Sequence, residues 1–135
     1  MNREIKFRGK DKESWYYGDL MTMKHFTNED IYQIGDFKKS LCYEVDKDTV
    51  GQYTGLHDKN GKEIYEGDII TCKQYIGGNF VDYHLEKGFV EFKDGEFGVH
   101  RERGYYLSIK KLLEYNYNIE VIGNIYDNPE LLEGE

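Results

Sequence analysis

The sequence contains no alanine and a single proline, Pro129. Alanine is the strongest helix former, so its absence argues against a fold built on helices. Cysteine is scarce too: Cys42 and Cys72 lie thirty residues apart. That spacing is neither a CxxC redox motif nor a zinc ribbon, and two reduced, partly buried thiols are expected. No apolar run approaches the ~20 residues that a membrane-spanning helix needs. The opening MNREIKFRGK is charged throughout and lacks the apolar stretch of a signal segment, so a soluble, cytoplasmic protein is expected. Positive charge is outweighed, with 18 Lys and Arg against 26 Asp and Glu and a net charge of −8. Nonspecific affinity for duplex DNA comes from neutralising phosphates, and anionic membranes attract basic segments. This balance disfavours both partners.

Aromatic residues are abundant, with thirteen tyrosines and seven phenylalanines. They fit strands, and the chain reads as mainly β. REIKFRGKDKESWYYGDL has the alternation of a hairpin with a charged turn around Lys10 to Glu13. From Met21 to Lys39 the pattern blurs; NEDIYQIG fits either a helical turn capped by Thr27 or a short strand. LCYEV, Leu41 to Val45, is a strand. In TVGQYTGLHDKNGKEIYEGDII the glycines sit at hairpin offsets. A three-residue loop with Gly61 in the left-handed conformation pairs Asp58 with Lys62, whereas a two-residue Asn60-Gly61 loop would oppose Lys59 and Lys62. A second turn at Gly67-Asp68 launches an apolar strand, Ile69 to Cys72, and IGGNF follows as a loop.

FVEFKDGEFGV is a hairpin with an Asp94-Gly95 turn: Lys93 faces Glu96, Phe92 faces Phe97 and Val90 faces Val99. SIKKLLEY predicts a short helix capped by Ser108, with Ile109, Leu112 and Leu113 on one side. NIEVIGNIY alternates in both registers, as a strand covered on both faces would. DNPELL predicts a capped turn of helix with Pro129 at its first position. From Gly67 onward this order matches a small SH3-like barrel. The expected division is a β-rich N-terminal extension over residues 1–48 and a barrel over residues 49–135.

The stretches IKFRGKDK, TVGQYTGLHDKNGKEIYEGDII, FVEFKDGEFGV and EVIGNIYDNPELL together resemble the YopX family of small bacteriophage and prophage proteins. The resemblance implies a mainly β protein with an SH3-like barrel. It implies no established biochemical role.

Chemical motifs are few. Neither GxxxxGK[ST] nor GxGxxG appears. Counted from Asp58 as an EF-hand, Lys62 would hold the fifth position and Ile69 the twelfth, both wrong for calcium. His25, His57, His84 and His100 stand singly, without zinc spacing. Ser14, Ser40 and Ser108 lack the context of a nucleophile, and nothing positions Cys42 or Cys72 beside a base. No catalytic residue, metal ligand or cofactor is assigned.

Thirteen tyrosines exceed what a small core can hold, since each buried hydroxyl needs a partner. A tyrosine-rich docking surface is expected, with Tyr16, Tyr53, Tyr65, Tyr105 and Tyr106 as candidates. The leading expectation is a non-enzymatic interaction module that binds a protein partner or a second copy of itself. One segment reverses the charge: HRERGYYLSIKK carries Arg101, Arg103, Lys110 and Lys111 around Tyr105 and Tyr106. Cations interleaved with stacking aromatics suit single-stranded nucleic acid, which is the alternative; pairing with acids of the same or a neighbouring chain accounts for the same cations. A metal-dependent hydrolase is the second alternative.

Overall fold

The computed structural model describes residues 4–76, 79–81, 87–101, 106–114 and 117–133, with side chains at 4–72, 87–100, 108–114 and 118–133. The fold is mainly β, as expected. It divides into two compact units, Met1–Gly55 and Leu56–Glu135.

In the first unit, β1 (Phe7–Asp11) and β2 (Ser14–Lys24) form the expected hairpin, closed between Asp11 and Ser14. The ambiguous segment resolves as a strand, β3 (Asp30–Asp36), which pairs with β2 from Asp19↔Gly35 to Lys24↔Asp30. Its residues alternate across a pleat whose one face buries Ile34. A 3-10 turn, Phe37–Lys39, is capped by Asp36, whose Oδ1 accepts from the N–H groups of Lys38 and Lys39. It leads into the long strand β4 (Leu41–His57), where LCYEV pairs with β3 and later residues pair with β1. The expected boundary between residues 48 and 49 therefore lies inside one strand, and the compact units divide seven residues later.

Because β4 returns to β1, the ladders run β1-β2-β3-β4 and back to β1, and the sheet curls strongly. Two features permit the curl. Between Arg8↔Gly51 and Lys10↔Asp46, β4 carries extra residues in a bulge. Thr49 staples it, its Oγ1 accepting from the Lys10 N–H at 2.8 Å and donating to the Asp46 carbonyl at 2.6 Å. The other feature is Gly35, which has no Cβ where one would fall onto the Leu41 carbonyl and lie 2.7 Å from the Cys42 Cα. Ile34 and Val45 fill the inside of the curl.

The second unit opens as β4 ends. Asp58 N–H donates to the Lys62 carbonyl at 2.8 Å and Gly61 adopts φ +82°. This is the expected three-residue loop, and it leads into β5 (Glu63–Tyr65), which pairs with β4. The next turn falls one residue earlier than expected, at Glu66-Gly67, because Asp68 already begins β6 (Asp68–Ile76). The loop expected at IGGNF contains a strand, β7 (Asn79–Val81), paired with β6 from Ile76↔Asn79 to Gln74↔Val81. β8 (Gly88–Lys93) and β9 (Glu96–Arg101) form the hairpin in the expected register, with Val90↔Val99, Phe92↔Phe97 and Lys93↔Glu96.

After β10 (Tyr106–Ser108) comes the helix α1 (Ile109–Glu114), with Ile109 and Leu112 buried and Leu113 packed on the core. The last strand, β11 (Tyr117–Asn124), lies against β6. Its register shifts between Val121 and Gly123. Ile119 is buried and the residues beside it are half-buried, so the strand is less covered than its sequence suggests. The sheet order is β10-β9-β8-β6-β11. Ile64, Ile70, Val90, Val99, Ile109, Leu112 and Ile119 form its core. Pro129 opens the final 3-10 turn as expected, but Asn128 does not cap it; its Oδ1 accepts from the Asn124 N–H instead.

Two glycine substitutions separate close approach from turn geometry. Gly35→Ala is expected to destabilise the protein by more than about 2 kcal/mol, because the added methyl meets backbone that cannot move alone. Gly95→Ala faces open space at φ +83° and is expected to cost about 1–2 kcal/mol from the left-handed backbone alone. Urea unfolding of both variants measures the difference; equal costs would mean that the approach at Gly35 does not constrain the curl.

Candidate functional site

The glycine-rich segment was the natural place to look for a ligand loop. In it, Asp58 is the central acid, and its oxygens face its own backbone. Oδ1 accepts from the N–H groups of Asn60 and Lys62, both at 2.9 Å, and Oδ2 accepts from the Val121 N–H at 3.0 Å. The Lys59 N–H donates to the Ile119 carbonyl at 2.9 Å, so the loop is fastened to β11 at two points. Burial alone would raise the Asp58 pKa. The three N–H donors and the Lys62 charge outweigh it and hold the carboxyl below its ordinary value of 3.8. Asp68, 1 % exposed, also binds backbone within its turn, its Oδ2 accepting from the Tyr65 N–H at 2.8 Å. Both carboxylates act as turn fasteners. Among the described residues, no group of three or more His, Cys, Asp or Glu side chains is placed to hold a metal ion.

The five tyrosines expected on a docking surface part company. Tyr53 and Tyr65 are core residues, 3 % and 2 % exposed, which corrects their assignment to the surface. Tyr65 satisfies its hydroxyl locally by donating to Glu63 Oε1 at 3.1 Å, which is what allows the ring to be buried. Lys6 lies over the Tyr53 ring, with Nζ 5.2 Å from the centroid. Tyr16 is half-buried and stacks on Tyr43, the ring centroids 4.1 Å apart and the planes 16° from parallel. Tyr105 lies outside the described residues, and Tyr106 is described only as backbone in β10. Of the basic segment, Lys110 and Lys111 are exposed on α1; Arg103 and the side chain of Arg101 lie outside what is described.

Other large apolar side chains of the first unit are exposed. Among the described residues, eight large hydrophobic side chains are exposed, and seven belong to the first unit: Ile5, Tyr17, Met21, Met23, Phe26, Leu41 and Tyr43. Met21 and Met23 share one face of β2, opposite Gln33 and Ile31 of β3. Leu41 and Tyr43 share the other face, beside the Tyr16 ring. Phe26, at the tip between β2 and β3, is 92 % exposed. Beside this tip a cleft of about 310 Å³ is lined by His25, Glu29, Asp30, Tyr32, Glu44 and Lys47, among others. Charge follows the same division. Residues 1–55 hold nine Lys and Arg against ten Asp and Glu, while residues 56–135 hold nine against sixteen. The near-neutral unit exposes seven large apolar side chains.

Sequence reasoning missed this surface because it left residues 21–39 without a strand register, so the faces of Met21 and Met23 could not be assigned. It also treated His100 as solitary. The β8–β9 register places Phe89 opposite His100, and the ring centroids lie 5.1 Å apart. Glu91 Oε1 lies 3.3 Å from His100 Nδ1. Extending the expected Val90↔Val99 pairing by one residue would have found this cross-strand pair.

Comparison with known proteins agrees with the architecture. The sequence profile of the family described as YopX protein matches residues 6–133. The crystal structure of protein yopX from Bacillus subtilis is similar, with 24% identity, TM-score 0.56, and 96% of this chain and 97% of that one covered. The crystal structure of protein EF1440 from Enterococcus faecalis is similar too, with 25% identity, TM-score 0.56, and coverage of 98% and 100%. No curated protein matches the chain.

Asp58→Ala leaves three backbone N–H groups without their acceptor and is expected to destabilise the protein by about 2–4 kcal/mol near neutral pH. The sign with pH follows from the depressed pKa. The stabilisation is complete above 3.8 and is lost as pH falls through the lower folded value. In urea unfolding, the gap between wild type and variant should therefore be widest at about pH 7 and narrow progressively as pH falls below 3.8; a gap that stays constant would mean that the carboxylate charge contributes nothing.

Proposed function

We propose that this chain, which belongs to the YopX family, is a non-enzymatic interaction module of a bacteriophage or prophage, acting in the cytoplasm of the bacterial host. Its docking surface is the face of the first unit that carries Leu41, Tyr43 and the half-buried Tyr16, and its occupant is a protein. The observation that carries this is the exposure of seven large hydrophobic side chains in a unit with almost no net charge. Interface cores are depleted of charge and enriched in aromatic residues and Met, which is the composition found here. Tyr16 and Tyr43, already stacked, offer a rigid aromatic face that loses little conformational entropy on binding.

The second unit is the scaffold in this reading. The order β10-β9-β8-β6-β11, with α1 entering before the last strand, supports an SH3-like barrel. Asp58 and Asp68 keep its turns closed.

The test is affinity capture from host cells carrying the phage or prophage, comparing wild type with a Leu41→Ser, Tyr43→Ala double variant whose fold is verified by circular dichroism. A partner retained by wild type and by an exposed-lysine control, Lys38→Ser, but lost from the double variant is the expected result. An identical set of captured proteins on all three would remove this surface from consideration.

A further inference from the structure

The free edge of the β2–β3 hairpin carries a more specific consequence. From Ser14 to Gly18, β2 pairs with β1; from Asp19 to Lys24 it pairs with β3. Among the described residues β2 has no other ladder, so Asp19–Lys24 are hydrogen-bonded along one edge only. Alternate N–H and C=O groups of this segment point outward along the other edge. All six residues except Leu20 are exposed. Natural edge strands are blunted by proline, by bulges or by charges along their middle. The middle of this one is Leu20-Met21-Thr22-Met23, with no charge, no proline and an unbroken register to β3.

We infer that this edge pairs antiparallel with the same edge of a second copy of the chain, joining two β2–β3 hairpins into one continuous sheet across a two-fold axis. This rests on the reading of the first unit as the interaction surface and names one of its occupants. Only an extended strand satisfies an open edge of backbone donors and acceptors. The choice of a second copy rests on two observations. The copies each carry a net charge of −8, so they approach best through residues 1–55, where nine cations meet ten anions. The strand is also complementary to itself.

A two-fold axis perpendicular to the sheet keeps residues of the same face opposite one another. Centred on Thr22, it sets Met21 against the second copy's Met23, twice, on one face. On the other face it sets Thr22 against Thr22 and Leu20 against Lys24. Asp19 then faces His25. No like charges meet, whereas a parallel pairing would line up Asp19 with Asp19 and Lys24 with Lys24.

The register makes the idea testable by charge exchange on two exposed side chains. Sedimentation of the full chain is expected to show a dimer at roughly 0.1 mM, a concentration that populates weak, specific contacts. Met21→Glu with Met23→Glu puts Glu against Glu twice and should weaken the dimer about tenfold or more. Met21→Glu with Met23→Lys puts Glu against Lys twice and should restore it. Amide exchange at residues 19–24 should slow as the wild-type concentration rises.

A wild-type monomer at that concentration overturns self-pairing. So does a Glu/Glu variant that dimerises like wild type, a Glu/Lys variant as weak as Glu/Glu, or slowed exchange confined to other segments. None of these results touches Leu41 and Tyr43, so capture of a partner through that face would stand or fall separately.

Discussion

A chain made almost wholly of strands must find a partner for both edges of every strand, because each backbone N–H and C=O withdrawn from water needs one. The first unit meets this constraint by curling until β4 reaches β1. Curling on that scale brings backbones closer together than side chains normally permit. Gly35 permits the approach by lacking a Cβ, and the bulge before Gly51 supplies the extra length, with Thr49 tying it back to β1. Among the described residues, Asp19–Lys24 are paired along one edge only. The same constraint thus accounts for the shape of the sheet and for its most exposed feature.

The second unit solves the related problem of fastening short turns. Asp58 and Asp68 are buried acids, which are costly unless their charge is hydrogen-bonded. Each accepts from backbone N–H groups inside a turn, and Asp58 also reaches across to β11. A buried carboxylate of this kind can be mistaken for a ligand site. Both oxygens of Asp58 accept from backbone amides instead, Oδ1 within the loop and Oδ2 from Val121 of β11. Beneath the turns, Ile64, Ile70, Val90, Val99, Ile109, Leu112 and Ile119 supply the apolar core.

The two units differ in how they present themselves to solvent. One has a large excess of negative charge and, among its described residues, a single exposed large hydrophobic, Phe92. The other is nearly neutral and exposes methionines, tyrosines and a phenylalanine. Apolar exposure costs solubility, and strong charge elsewhere in the chain offsets it.

Much of the fold was legible in the sequence. The mainly β class followed from aromatic and β-branched composition without alanine. The β8–β9 register followed from Asp94-Gly95 between matched alternating strands, the Gly61 loop from avoiding Lys59 against Lys62, and α1 from Ser108 and the spacing of Ile109 and Leu112. All are local, carried by residues within about one turn or hairpin of each other. What remained hidden is long-range. Which tyrosines are buried depends on partners brought in by folding, as with Tyr16, half-buried where it stacks on Tyr43 of a separate strand. The course of β3 through Asp30–Asp36 was undecided because its alternation takes meaning only from Ile34 reaching the inside of the curl. Periodicity and turn chemistry are written along the chain; closure, burial and the open edge exist only once distant strands have paired.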